Sequence, residues 1–197
     1  MVKLQIMFKA GCNPALYQLQ GKKYDFPDLT AMLCPMCRAE YLKKHGFYVR
    51  DLVTIGFEGE IIIRRYCCPD CRRTVSLLPS FCHPLRTYGL DAIYGLLKEF
   101  YVNMRTVCLA VLKFLAATGV ECTRQLLLHY RRRIEQNYNS IAMTVTDIYA
   151  LKEPLAAGKT NTREKVRQLI SFIKSPQDDS LKIFEQTRTT YLTPIPI

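Results

Sequence analysis

Apolar positions change period along this chain, and the changes divide it. Leu4, Ile6 and Phe8 recur every second residue, the period of a strand. A turn-rich stretch follows, punctuated by Gly11, Asn13, Pro14, Gly21 and Pro27. The runs FYVRDLVTI and EIIIRRYCC are rich in β-branched and aromatic residues, with Gly56 and Gly59 between them, which predicts a β-hairpin. From residue 87 the period becomes helical. Leu90, Ile93, Tyr94, Leu97 and Tyr101 mark one helix; Val107, Val111, Phe114 and Leu115 mark a second, closed by Gly119; a third runs from about Thr123 to Asn137. After Pro154 and Gly158, Asn161 with Glu164 has the spacing of a capping box. Val166, Leu169, Ile170 and Ile173 give that helix one apolar stripe, which Pro176 and two aspartates are expected to end. The tail TYLTPIPI reads as irregular or extended.

The expected class is α+β, a β-rich front followed by helices. The expected segments are 1–33 (strand and turns), 34–86 (the hairpin region), 87–140 (helical) and 141–197 (a helix and tail).

Charge and cysteine content add chemistry to this outline. The 197 residues carry 28 Lys and Arg against 17 Asp and Glu, a formal net charge of +11, which favours an anionic partner, nucleic acid first. The longest uncharged stretch, Thr74 to Leu85, contains two prolines, so no membrane span is expected. The start shows no signal-peptide pattern, since Leu4–Phe8 is too short for its apolar core. Nine cysteines, an odd number, fit disulfides poorly. A reducing cytoplasm is the expected setting, and clustered cysteines there usually mean metal.

Two pairs stand out: Cys34-Pro35-Met36-Cys37 and Cys68-Pro69-Asp70-Cys71. A Cys-x-x-Cys turn presents two thiolates at the separation a tetrahedral zinc needs, and two turns close the shell, leaving no position open for catalysis. The expectation is one structural zinc ion held by Cys34, Cys37, Cys68 and Cys71 in a zinc ribbon. A redox dithiol is the alternative, but that motif usually occurs singly at a strand-to-helix junction. Cys67 could be mistaken for a ligand; matching the two pairs favours Cys68. Cys12, Cys82, Cys108 and Cys122 lack paired spacing, and His45 and His83 are not needed when four cysteines are present.

The stretch from Thr106 to Asn137 has the order of a helix-turn-helix, with Ala117-Thr118-Gly119 as the turn. Leu126, Leu127, Tyr130 and Ile134 form the apolar face of its second helix. Gln125, Leu128 and Arg132, flanked by Arg124, His129 and Arg131, form the other. Such a face enters the major groove in DNA-binding examples, where arginine reaches guanine or phosphate and glutamine pairs with adenine. Over residues 86–133, eight Lys and Arg face three Asp and Glu. The alternative is an ordinary amphipathic helix with a solvated basic face. Arg64, Arg65, Arg72 and Arg73 of the ribbon are further candidates for phosphate contact.

The order CPMC, a hairpin after His45-Gly46, RRYCCPDC, TVSLLPSF and a Tyr-Gly-Leu helix resembles the zinc-ribbon front end of bacterial insertion-sequence transposases. It is similar in particular to small stand-alone, transposon-associated proteins of unassigned function. The resemblance covers roughly residues 30–135. It implies a ribbon followed by a helix-turn-helix, with the four paired cysteines as ligands. Members usually carry Gly after the second cysteine of each knuckle, where this chain has Arg38 and Arg72. A transposase also needs a large catalytic domain with three separated acids. The acids after the third helix, from Asp147 to Glu185, lie in no such framework.

The functional expectation is a DNA-binding accessory or regulatory protein of a mobile element, cytoplasmic or nucleoid-associated, partnering DNA, with a transposase or a second copy of itself as a further partner. The alternative is a protein–protein adaptor docking through the ribbon and the helix Thr162–Lys174. No enzyme or small-molecule substrate is expected: no Gly-rich phosphate loop, nucleophile elbow or zinc-protease motif occurs, and Gly158-Lys159-Thr160 lacks the upstream glycine of a P-loop.

Overall fold

In the computed structural model, residues 4–84, 86–152, 155 and 161–187 are described. Four strands come first in the chain: β1 (Leu4–Phe8), β2 (Lys43–Thr54), β3 (Phe57–Cys67) and β4 (Thr74–Pro79), with a short helix α1 (Pro14–Gln20) after β1. Five helices follow: α2 (Leu90–Tyr101), α3 (Val107–Thr118), α4 (Arg124–Ile148), α5 (Thr162–Phe172) and α6 (Pro176–Thr187). This is the expected α+β class.

The sheet order is β1-β4-β3-β2. The hairpin forms as the β-branched runs predict: Thr54 pairs with Phe57 across Ile55-Gly56, and Gly56 takes φ +79, a conformation a β-branched residue would resist. Gly59 lies inside β3 rather than in the turn. β1 pairs with β4 in parallel, Leu4 opposite Val75 and Phe8 opposite Pro79, so the first residues share a sheet with the cysteine region. Helix α1 replaces part of the expected turn stretch. Asn13 caps it by accepting from the Leu16 N–H at 2.9 Å, and Pro14 opens it. Its buried Tyr17 donates to the Ile62 carbonyl at 2.9 Å and packs against Tyr24, 4.6 Å between ring centres with the rings tilted by 51°. That contact holds the N-terminal segment on one face of the sheet.

The free edge of β2 is covered by the chain entering α2. Val53 accepts from Gly89 at 2.8 Å and donates to Thr87 at 3.0 Å. Asp91, in the first turn of α2, accepts from the hairpin-tip N–H of Ile55 at 3.0 Å. An edge strand covered in this way is protected from pairing with another chain.

α2 lies at the centre of the helical layer, touching α3, α4, α5, α6 and β2. Its Tyr94 donates to the Ile170 carbonyl at 2.8 Å and its Tyr101 to Glu135 at 2.8 Å. The buried apolar residues form one continuous core from Met7 through Leu97 to Phe184. The expected boundary at residue 140 falls inside α4, which runs unbroken to Ile148. Its second half is rich in Asn, Ser and Thr, poor helix formers, but Tyr138, Ile141, Ala142 and Val145 bury one face and override that preference.

Two further readings change at the C-terminal end. Pro176 does follow α5, but it opens α6, where Asp178 and Asp179 occupy the first turn; proline at the first helical position costs no hydrogen bond. Asn161 caps α5 by accepting from the Arg163 N–H at 2.8 Å, whereas Glu164 pairs with Arg167 at 3.2 Å rather than reaching back to complete a capping box. The tail TYLTPIPI and Gly158-Lys159-Thr160 lie outside the described residues. No helix among the described residues is long and apolar enough to cross a membrane.

Candidate metal centre and basic surfaces

The two cysteine turns are built alike. In the first, the Cys34 N–H donates to the Ala39 carbonyl at 2.8 Å and the Arg38 N–H to the Cys34 carbonyl at 2.9 Å. In the second, the Cys68 N–H donates to the Arg73 carbonyl at 3.0 Å. Each turn closes through a left-handed residue just after its second cysteine, Arg38 at φ +64 and Arg72 at φ +55. Glycine adopts this conformation at little cost, and this chain holds arginine in it at both positions. The left-handed step aims the next N–H back at the sulfur, Ala39 at Cys37 and Arg73 at Cys71.

β3 delivers the second turn directly, since it ends at Cys67. The β2–β3–β4 ladder brings that turn beside the first. Cys34 Sγ lies 3.7 Å from Cys71 Sγ, and Cys37 Sγ lies 3.5 Å from Cys68 Sγ. All four sulfurs fall within 4.8 Å of one another, and none is disulfide-bonded. A tetrahedral ion with metal–sulfur bonds of about 2.3 Å sets its sulfurs about 3.8 Å apart. The cluster therefore fits one metal ion. Cys67 points elsewhere, its thiol donating to the Cys68 carbonyl at 3.5 Å.

The electrostatics agree with a cation at the centre. Burial pushes the Cys34 thiol up, but the N–H groups of Cys37 and Met36 and the neighbouring sulfurs outweigh it and bring it down to about 7. At Cys71 the Arg73 N–H acts downward; burial and the three neighbouring sulfurs win and push it up to about 12. Sulfurs this close cannot all carry charge unless a cation lies among them. Cys34 and Cys68 are fully buried and Cys37 is exposed.

The arginines and polar residues expected to meet DNA are not equivalent. On α4, Thr123 caps the first turn, and Arg124, Gln125, Leu128 and Arg132 are exposed on one side. Leu127, Tyr130 and Ile134 bury the other side, as the pattern predicts. Arg131 is engaged, pairing with Glu135 at 3.0 Å and lying over the Phe100 ring at 5.3 Å. His129 Nε2 lies 3.2 Å from an Arg86 nitrogen. Desolvation and the charges of Arg86, Arg133 and Arg132 lower its pKa, so the neutral ring accepts from Arg86.

Between β3 and β4, Arg72 and Arg73 are exposed beside the second cysteine turn. Arg64 lies over the Phe47 ring at 4.6 Å, half-buried. Arg65 faces the other side of the sheet, where Arg50 and Arg86, both overlooked by sequence reasoning, line the same groove. Arg50 alternates with apolar residues in a strand and Arg86 sits in a loop, so nothing in their spacing marks them. Arg50 donates to the carbonyls of His83 and Arg86, tying the loop before α2 to β2.

The apolar stripe of α5 faces inward. Val166, Leu169, Ile170 and Ile173 are buried in the core, and Arg163 donates to the Phe100 and Arg105 carbonyls at 3.1 Å each.

Neither the curated proteins nor the solved structures hold a significant match to this chain. Residues 34–107, from the first metal-site cysteine through β2, β3, β4 and α2 to the first residue of α3, match a family described as a domain of unknown function (DUF6431).

Proposed function

We propose that the chain is a zinc-containing DNA-binding accessory or regulatory protein of a mobile genetic element, working in the cytoplasm. The tie to mobile elements rests on the sequence resemblance alone. Zinc is the ion chosen because four thiolates in a closed tetrahedral shell suit its size and softness and leave no open coordination position. Its role is structural: it joins two turns that are 31 residues apart between Cys37 and Cys68.

The observation that carries the DNA reading is the division of α4. One face is locked into the core by Leu127, Tyr130 and Ile134, and the opposite face presents Arg124, Gln125 and Arg132 to solvent. A rigidly held helix with a polar, cationic outer face suits entry into a major groove. The test is fluorescence anisotropy on a mixed-sequence duplex from about 50 to 200 mM salt, with zinc quantified on the same sample. One zinc per chain, binding that weakens steeply with salt, and loss of affinity in Arg124→Ala/Arg132→Ala support the reading. Zinc without binding at low salt refutes it.

A second reading has its own observation. α3 exposes Leu109, Leu112 and Leu115 and buries only Ala110 and Phe114, which suits an adaptor docking a protein partner. Salt-insensitive association abolished by Leu112→Asp favours this second reading over the first.

A further inference from the structure

We propose that the groove on the sheet face away from α1 is a phosphate-binding pocket formed by Arg50, Arg65 and Arg86. We further propose that the phosphate it takes is a nucleic-acid backbone phosphate, a clause that rests on the DNA reading above. The groove encloses about 620 Å³ and is also lined by the polar side chains of Gln5, Tyr48 and Ser76.

Register explains how β-strands assemble a cationic site. Tyr48 pairs with Ile63, Arg50 with Ile61, and Arg65 with Ser76, while Ser76 pairs with Gln5. Paired residues share a face, so two arginines, two hydroxyls and an amide converge on one side of the sheet. Arg86 joins them from the loop that Arg50 anchors.

Three features point to an anion. First, among the described residues none of the three arginines is ion-paired with a carboxylate, although three like charges line one groove. Secondly, Arg65 Nε is sealed from solvent without a hydrogen-bond acceptor among the described residues, while its head lies over Tyr48 at 5.7 Å and donates to the Phe47 carbonyl at 3.4 Å. The five N–H donors of the Arg65 guanidinium thus meet one acceptor, the Phe47 carbonyl, among the described residues. Thirdly, planar guanidinium forks match phosphate oxygens two at a time. Asp51 and Glu60, paired across the hairpin, also line the groove.

The Arg86–His129 hydrogen bond connects this groove to α4. His129 is thus a positioning residue that holds Arg86 between the sheet and the helix carrying Arg132. A backbone that places one phosphate in the groove and follows Arg86 reaches the exposed face of α4.

The test uses the zinc-loaded full chain and the variants Arg65→Gln, Arg86→Gln and Arg124→Gln, each checked for unchanged metal content and melting temperature. The probes are the mixed-sequence duplex and, separately, sodium pyrophosphate. The expected result is that Arg65→Gln and Arg86→Gln each flatten the slope of log affinity against log salt by about 0.9, the signature of one lost phosphate contact. If the duplex binds and only Arg124→Gln flattens the slope, the pocket is refuted and the DNA reading survives. If no duplex binds but pyrophosphate raises the melting temperature of wild type and not of Arg65→Gln or Arg86→Gln, the pocket stands with a free phosphorylated molecule as its ligand, and the DNA reading falls. If neither probe binds, both fall.

Discussion

Cys34→Ser and Cys67→Ser differ by which cysteine the fold has turned inward, and their contrast tests the metal centre most sharply. Cys34 is fully buried, receives N–H bonds from Met36 and Cys37, and sits 3.7 Å from Cys71 Sγ. Cys67 lies next to a ligand in sequence but donates to the Cys68 carbonyl. A structural tetrathiolate zinc contributes roughly 10–16 kcal/mol, so one thiolate in four corresponds to about 2.5–4 kcal/mol. At about 1.4 kcal/mol per tenfold, Cys34→Ser should weaken the metal by about fiftyfold or more. A serine hydroxyl neither ionises nor reaches the metal as a thiolate does, so rearrangement recovers little. Competition against a chromophoric chelator reads the affinity. Cobalt substitution reads the geometry through its tetrahedral thiolate absorption. Cys67→Ser should keep one metal per chain at wild-type affinity. The assignment fails if Cys67→Ser loses the metal, or if Cys34→Ser binds it as tightly as wild type.

Two other expectations follow from the packing. Burial, and then the charges of Arg50, Arg86 and His129, hold the His83 pKa at about 3 against the opposing hydrogen bond to Pro84. Its neutral form is the folded one, so its contribution is fully present above the unfolded pKa of about 6.5 and is lost as pH falls from there toward 3, by about 2 kcal/mol at pH 5. Chemical denaturation of wild type and His83→Phe across that window should show their stability difference shrinking as pH falls; a constant difference refutes it. In α2, a Cβ added at Gly95 comes 2.7 Å from the Phe114 ring of α3. Gly95→Ala gains helix propensity of about 1 kcal/mol, but overpacking costs about 1–3 kcal/mol. The urea midpoint should therefore drop, and a rise refutes the close α2–α3 contact.

The sequence by itself determined what short-range chemistry controls. The hairpin follows from two β-branched runs and Gly56; α2, α3 and α5 follow from their apolar period; the four-cysteine cluster that can hold a metal follows from two matched Cys-x-x-Cys turns, each of which is complete within a few residues. The tertiary structure decided whatever depended on partners distant in the chain. β1 joins the sheet because β4 offers it an edge some 70 residues away. The weak helix formers after Asn137 stay helical because their apolar face is buried. Pro176 permits either an ending or a beginning, and packing of α6 on α4, α2 and β1 selects the beginning. The same cause sorted the arginines, since spacing shows that a residue is basic but not what lies across from it. Arg131 met Glu135 and Phe100, Arg64 met Phe47, and Arg50, Arg65 and Arg86 met one another around a groove. Local geometry is written in adjacent residues, whereas a surface is assembled from strands and loops that only the folded chain brings together.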